Sequence, residues 1–435
     1  MSSAPPLAAV EQRIGRYRWS ICALLFCVIT INYVDRQVIG VLKPVIAQDL
    51  GWSEVDYGNI VTAFQASYGV GMVLVGRWLD RVGTRKGMAI AIALWSVAAA
   101  FHSVARTVLA FILARAALGL AESAAYPGAV KSVAEWFPRK ERALGVGILN
   151  AGANVGVLLT PIAGIMVAGM FGWRAAFLVT GGLGLLVLAA WLRMYRLPEH
   201  HPYIAAPERA HIVQDGEDGT GRPLGWAAAL RQRQAWYFIC GKFFTDPVWY
   251  LFLFWLPDFF SKTQGMNLFP SGHGSVLSTI GPALIGVYLL ADVGSIAGGW
   301  LSSHLIQRGW SVNRARKTTL FLAALCALPL VSVASIGNAG VVVLLIGLGT
   351  AGHQAFSSNI FAMISDLYPR RAVATVAGMG GAAGAVGGVL IAQATGWTLQ
   401  LTGSYVPIVL YAGIAYLLAF TVIHLLVPKM EPAPL

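Results

Sequence analysis

The sequence predicts an all-α membrane protein, with twelve transmembrane helices arranged as two pseudo-symmetric six-helix bundles. Three observations carry that prediction. Hydrophobic residues occupy 57% of the 435 positions and charged residues only 11%, with a mean hydropathy of +0.66, outside the range of water-soluble domains. Apolar runs of about 20 residues, enough for a helix to cross ~30 Å of hydrocarbon, recur twelve times. They centre near residues 30, 68, 96, 117, 155, 183, 249, 290, 326, 350, 384 and 416. The chain also repeats itself: AEWFPRKERALGVG (134–147) aligns with SDLYPRRAVATVAG (365–378), and GRWLDRVGTRK (76–86) is echoed more weakly by residues 298–317. Two halves of six spans follow, an N-terminal bundle over 1–195 and a C-terminal bundle over 235–435.

Between the halves, residues 196–234 are polar, rich in Pro and Gly and without apolar period, the pattern of a solvated cytoplasmic linker. His200 and His201 read there as solvated side chains rather than metal ligands. No soluble stretch approaches the ~100 residues of a catalytic domain, so the chain is not expected to be an enzyme. No cofactor or metal is expected. The four cysteines, Cys22, Cys27, Cys240 and Cys326, fall in apolar spans and read as buried small hydrophobes. The N-terminus shows no cleavable signal pattern.

The net charge of +12 is distributed as membrane orientation requires, not as a nucleic-acid surface. Most Lys and Arg fall in the tails and the even-numbered connections, whereas the opposite side receives only Lys43, Arg106, Arg174 and Lys262. The positive-inside rule puts both termini in the cytoplasm, in a multi-pass protein of the cytoplasmic (inner) membrane.

Charges within the spans are the strongest functional signal. Asp35, Arg36, Arg115 and Glu122, unpaired at ~2.5 to 3.5 kcal/mol each, would cost on the order of 10 kcal/mol, so they are expected to face the interior and pair. Arg115 and Glu122, two helical turns apart, share the face of span four that can meet Asp35 and Arg36 on span one. Lys242 and Asp246, four apart on span seven, can pair directly. Asp292 has no obvious base near it in sequence. Gly152 and Gly156, Gly294 and Gly298, and Gly380, Gly384 and Gly388 have the small-xxx-small spacing of close helix packing.

The loop GRWLDRVGTRK resembles the signature loop of the major facilitator superfamily, matched by Gly76, Asp80, Arg81, Gly83, Arg85 and Lys86. The resemblance implies the major facilitator fold and a conformational latch built from these residues. Residues 115–143, 242–262 and 290–301 are similar to the anion:cation symporter family of that superfamily, most of all its hexuronate (glucuronate/galacturonate) permeases. The resemblance spans nearly the whole chain, with one departure. Those permeases carry Arg and Glu in the seventh span where this chain has Lys242 and Asp246, a pair of the same sign with different reach and donor geometry.

A guanidinium on a cavity wall suits a carboxylate, so the expected substrate is a small organic anion. Around it, Tyr33, Tyr68, Asn154, Trp249, His353, Gln354, Ser357 and Asn359 supply hydroxyls, amides and an aromatic face, though each also suits helix packing. Arg36 and Lys242 supply the cations. Resemblance to galactonate-type permeases favours Tyr33, Arg36, Tyr68 and Asn154. Asp35 and Glu122, with Arg115 beside them, are the expected proton-coupling groups. His353 lies opposite Glu122 by the repeat offset. The expected activity is import of a sugar acid, foremost a hexuronate, with protons by alternating access. The partners are the anion, protons and the lipid bilayer, with no nucleic acid, and the carrier acts as a monomer. A sodium-coupled or aromatic-acid carrier and a transporter-like nutrient sensor are the alternatives. No G-x-x-x-x-G-K-[ST] loop supports an ATP-driven pump.

Overall fold

In a computed structural model, residues 15–213, 225–268, 279–368 and 370–431 are described. Among them the chain is helical throughout, apart from connecting turns and a single bridge between Asn267 and Thr279. The N-terminal bundle contains α1 (Tyr17–Leu50), α2 (Glu54–Val82), α3 (Thr84–Phe101), α4 (Val108–Glu122) continued by α5 (Ala125–Trp136), α6 (Arg139–Leu159) continued by α7 (Ile165–Phe171), and α8 (Trp173–Met194). A π-helical turn at Thr160–Gly164, opened by Pro161, joins α6 to α7. The C-terminal bundle contains α11 (Arg233–Gln264), α12 (Ile280–Gln307), α13 (Val312–Ala327), α14 (Ala339–Leu367), α15 (Arg370–Thr402) and α16 (Val406–Leu426).

The predicted spans correspond to these rods, and among the described residues nine are long and apolar enough to cross a membrane by length and composition. The exceptions, α2, α3 and α11, are helical but shorter or more polar. The distribution of side chains is inverted relative to a water-soluble protein. Ile296, Leu401 and Leu425 are 74%, 77% and 65% exposed, whereas Asp35, Arg115 and Glu122 are at most 1% exposed. Apolar atoms outward and ions inward is the arrangement lipid imposes.

Within the bundles α1 packs on α6 and α8, α2 on α4, α12 on α14 and α11 on α15 and α16. The predicted glycine spacing is used where α12 meets α14: a Cβ on Gly294 would lie 2.3 Å from the Ala351 backbone and one on Gly298 2.5 Å from Ala355 Cβ. The halves meet chiefly through α2 with α15 and α1 with α11.

Four expectations are corrected. The linker is not wholly irregular: residues 206–213 form α9 (Ala206–Val213), 226–230 form α10 (Trp226–Leu230), and α9 docks on the N-terminal bundle. There the Glu208 carboxylate accepts from the Arg18 backbone N–H at 3.0 Å, and Glu141 pairs with Arg18 at 2.7 Å and with His211 at 3.1 Å. The hydrogen bond from Arg18 holds the Glu141 carboxyl below its ordinary range. His201 is buried against the Tyr17 ring at 4.4 Å, with Nε2 hydrogen-bonded to the Met194 carbonyl at 3.0 Å. Burial lowers its pKa. Lys43 and Lys262, expected in connections, lie inside α1 and α11, because those helices continue beyond their apolar stretches. Finally, Cys22 is buried but Cys27 faces outward, where lipid accepts a thiol as readily as the core does.

Candidate functional site

The charges on α1 and α4 converge as their spacing predicts. Arg36 Nε donates to Glu122 Oε2 at 3.1 Å, and its Nη2 reaches Asn32 Oδ1 at 3.4 Å, one turn earlier on α1. Its guanidinium is wrapped by aromatic faces, 4.6 Å from the Tyr68 ring centroid, 4.9 Å from Tyr33 and 5.3 Å from Phe64. Such contacts hold a cation in place while leaving its in-plane donors available. Arg115 also lies over the Phe64 ring, 4.4 Å from its centroid, and donates through Nη2 to the Arg36 carbonyl at 3.2 Å. Among the described residues its Nε and Nη1 have no acceptor, nor does Glu122 Oε1 have a donor. Asp35 points away from Arg36, toward Thr180 on α8, in the field of Glu122 and Arg115, and neither of its oxygens makes a hydrogen bond of sound geometry.

In the C-terminal bundle Lys242 pairs with Asp246 at 2.5 Å, as their i,i+4 spacing predicts, and its ammonium lies 5.1 Å from the Phe361 ring. His353 lies flat on Trp249, with centroids 4.9 Å apart and an interplanar angle of 7°, and its Nδ1 is hydrogen-bonded to the Tyr416 hydroxyl at 2.8 Å. Gln354 and Ser357 are half-buried with no hydrogen-bond partner among the described residues, as is Asn154 in the opposite bundle. Asn359 is engaged in packing: Nδ2 donates to the carbonyls of Gly298 at 3.0 Å and Ala355 at 2.9 Å, and Oδ1 accepts from Arg316. Asp292 is half-buried with no cation beside it among the described residues.

Of the expected latch, Gly83 occupies the junction of α2 and α3 at φ +85°, a conformation natural to glycine. Arg85 donates to the Leu192 carbonyl at 2.9 Å and accepts through its own carbonyl from Trp191 Nε1 at 3.0 Å, tying the loop to α8. Arg81 and Lys86 are exposed. Gly76 and Asp80 lie outside the residues whose surroundings the structure describes.

Sequence reasoning missed a second charged site where the halves meet. Lys43 of α1 is 2% exposed, pairs with Glu54 of α2 at 2.9 Å and with Asp258 of α11, and faces the rings of Tyr57 and Trp255. Asp258 also accepts from the Tyr405 hydroxyl at 2.6 Å and pairs with Lys262 at 3.2 Å, while Lys262 reaches back to Glu54. Beside this network the Tyr57 hydroxyl donates to the Phe254 carbonyl at 2.6 Å, Gln37 donates to the Tyr288 hydroxyl at 2.8 Å, and Gln393 donates to Asn59 and Thr62. These hydrogen bonds and ion pairs between the two bundles, with that from the Glu54 N–H to Gln400, involve N-terminal-bundle residues between Gln37 and Thr62. They lie around the α1–α2 connection, at one end of the molecule. The signal was present in GVLKPVI and FWLPDFF, where Lys43 and Asp258 each stand beside a proline inside an apolar run.

Comparison with known proteins is consistent with this architecture. The Major Facilitator Superfamily signature matches residues 25–392. The hexuronate transporter of Escherichia coli (strain K12) is 30% identical over 391 residues, 88% of each chain. The galacturonate transporter of Dickeya chrysanthemi is 31% identical over 319 residues, 72% of this chain and 90% of that one. The D-galactonate transporter of Escherichia coli O6:H1 is 28% identical over 410 residues, 91% of this chain and 92% of that one. Among solved structures, a bacterial homologue of the human lysosomal transporter Spinster, in an inward-facing and occupied conformation, superposes with a TM-score of 0.76 at 17% identity. It covers 96% of this chain and 99% of the other, a likeness of fold.

Proposed function

Because this chain belongs to the Major Facilitator Superfamily, we propose that it is a proton-coupled symporter importing a sugar acid, foremost a hexuronate, by alternating exposure of a central site between its two bundles. The relatives named for hexuronate, galacturonate and D-galactonate transport support the substrate class. The observation that carries the coupling reading is Arg36, a buried cation clamped between aromatic rings whose counter-ion, Glu122, has one oxygen without a partner among the described residues.

The proposed cycle uses that competition. A proton on Glu122 neutralises the counter-ion and frees Arg36 to take the substrate carboxylate in a charge-assisted contact. Tyr33, Tyr68 and Asn154 on one bundle, and Trp249, Gln354 and Ser357 on the other, offer hydroxyls, amides and a ring to a polyhydroxylated chain. Asp35 is the neighbouring carboxyl through which the proton reaches and leaves Glu122, and Arg115 is the fixed cation whose charge tunes both acids. Lys242 remains tied to Asp246. With both termini in the cytoplasm, the end closed by Lys43, Glu54, Asp258 and Lys262 faces outside, and those ion pairs part to admit substrate. The carrier works as a monomer in the cytoplasmic membrane.

Reconstitution in liposomes tests this reading. Uptake of labelled glucuronate or galacturonate is expected to rise with an inward proton gradient and to collapse with a protonophore. Uptake that requires sodium at fixed pH refutes proton coupling.

A further inference from the structure

Gln65 is carried by α2 three residues before Tyr68, close to one helical turn, so the two share a face, and the Tyr68 ring covers Arg36 at 4.6 Å. The Gln65 side chain is fully buried, and among the described residues neither its amide nitrogen nor its amide oxygen has a hydrogen-bond partner. Its neighbours come from the opposite bundle. A Cβ on Gly388 of α15 would lie 3.2 Å from Gln65 Cδ and 2.7 Å from the Tyr250 ring, so the glycine lets α15 close onto both. Tyr250 lies within electrostatic reach of Arg36, Tyr33 and Tyr68 on one side and Asp246 on the other. Gln65 thus stands where the two bundles meet over the Arg36 site.

An amide buried in a membrane protein without partners is a standing cost, because neither lipid nor apolar side chains satisfy it. Helix packing does not account for this one. The amides that join helices here, Gln37, Gln393 and Asn359, each donate to a defined acceptor. An amide offers a donor and an acceptor in one plane, which matches two adjacent hydroxyls of a sugar.

We propose that Gln65 is a specificity-determining residue of the transport site, donating to one hydroxyl and accepting from the next on a polyhydroxylated acid whose carboxylate lies on Arg36. This rests on the sugar-acid reading above. The structural consequence is selective rejection: an acid lacking either hydroxyl leaves a buried amide unpaired, so it binds poorly even though its carboxylate is unchanged.

The test is binding of glucuronate, galacturonate and their monodeoxy analogues to the purified full-length carrier and to Gln65→Met, which keeps length while removing both polar atoms. Wild type is expected to bind one or two of the deoxy acids at least tenfold more weakly than the parent. Gln65→Met is expected to bind the parent at least tenfold more weakly, to show no further loss toward those same analogues, and to melt at or above the wild-type temperature without ligand. Gln65→Asn, polar but shorter, provides the same comparison if the Met variant does not fold. Unchanged affinity for the parent acid, equal additional losses for every analogue, or a fall in melting temperature that tracks the loss of affinity overturns the assignment. Wild-type protein that binds no hexuronate at all overturns the substrate reading, and this inference with it.

Discussion

The two bundles hold their buried charges in different conditions. In the C-terminal bundle Lys242 and Asp246 close on each other at 2.5 Å, and His353 closes on Tyr416 and Trp249. In the N-terminal bundle Arg36 and Glu122 are joined, yet Glu122 Oε1, both oxygens of Asp35, and Nε and Nη1 of Arg115 are left over. A pair four residues apart on one helix, as here on α11, neutralises itself locally. A set with spare donors and acceptors exchanges partners at little cost, because the groups are already desolvated and already face one another. The proposed transport site uses the second kind, charges between helices with unused hydrogen-bonding capacity.

The sharpest way to break this contrast is Arg36→Lys, which keeps the charge and removes the planar fork. We expect a loss of about 1.5 to 3 kcal/mol in substrate binding, at least tenfold in affinity, read by titration of the purified carrier. Wild-type affinity in that variant would move the carboxylate to Arg115 or Lys242. The next effect lies where the bundles meet. Asp258→Asn removes the anion shared by Lys43, Lys262 and Tyr405. It is expected to raise the outward-open population about tenfold, near 1.4 kcal/mol, seen as altered spin-label distances between the start of α2 and the end of α11. Unchanged distances would show that the ion pairs do not hold that end shut.

A smaller effect concerns the linker, which docks on the N-terminal bundle. Glu208→Gln weakens its contact with Arg18, by about 1 kcal/mol, and faster hydrogen exchange over residues 206–213 would report it. Acidification acts in the same direction. Arg18 holds the Glu141 carboxyl below its ordinary range, so this contribution to docking is complete above that range and is lost as pH falls through the depressed value. Exchange over 206–213 that is independent of both changes would remove these contacts from the account. The smallest effect is expected at the pair within α11: Lys242→Arg should change affinity by less than about threefold, since a charge committed to Asp246 stays committed. A larger loss there than at Arg36 would reverse the contrast between the bundles.

Part of this organisation was legible in the sequence because the physics was local. Arg115 and Glu122 are two turns apart, Lys242 and Asp246 are four residues apart, and a charge in a span must find a partner. What escaped depended on which helices approach one another. Lys43 and Lys262 read as members of connections, since helix continuation past an apolar run leaves no mark in composition. Glu54 and Asp258 gave no sign of converging on them across the two bundles. Gln65 went unremarked in the sequence, and only the packing of α15 at Gly388 shows it buried and, among the described residues, unpartnered. His201 reads as solvated because nothing in a polar Pro/Gly-rich segment announces that Tyr17 and Trp136 will stack around it.

The central claim is that the buried carboxylate on Arg36 couples protons to the anion, and Glu122→Gln, which mimics the protonated acid permanently, tests it most directly. Exchange of substrate across the membrane by the loaded carrier does not need deprotonation, whereas net accumulation does, because the proton must leave inside before the empty carrier returns. With counterflow, proton-driven accumulation and melting temperature measured on one liposome preparation, the account predicts retained counterflow and lost accumulation at an unchanged melting temperature. Normal proton-driven accumulation in the variant, or loss of both activities together with a lower melting temperature, would contradict it.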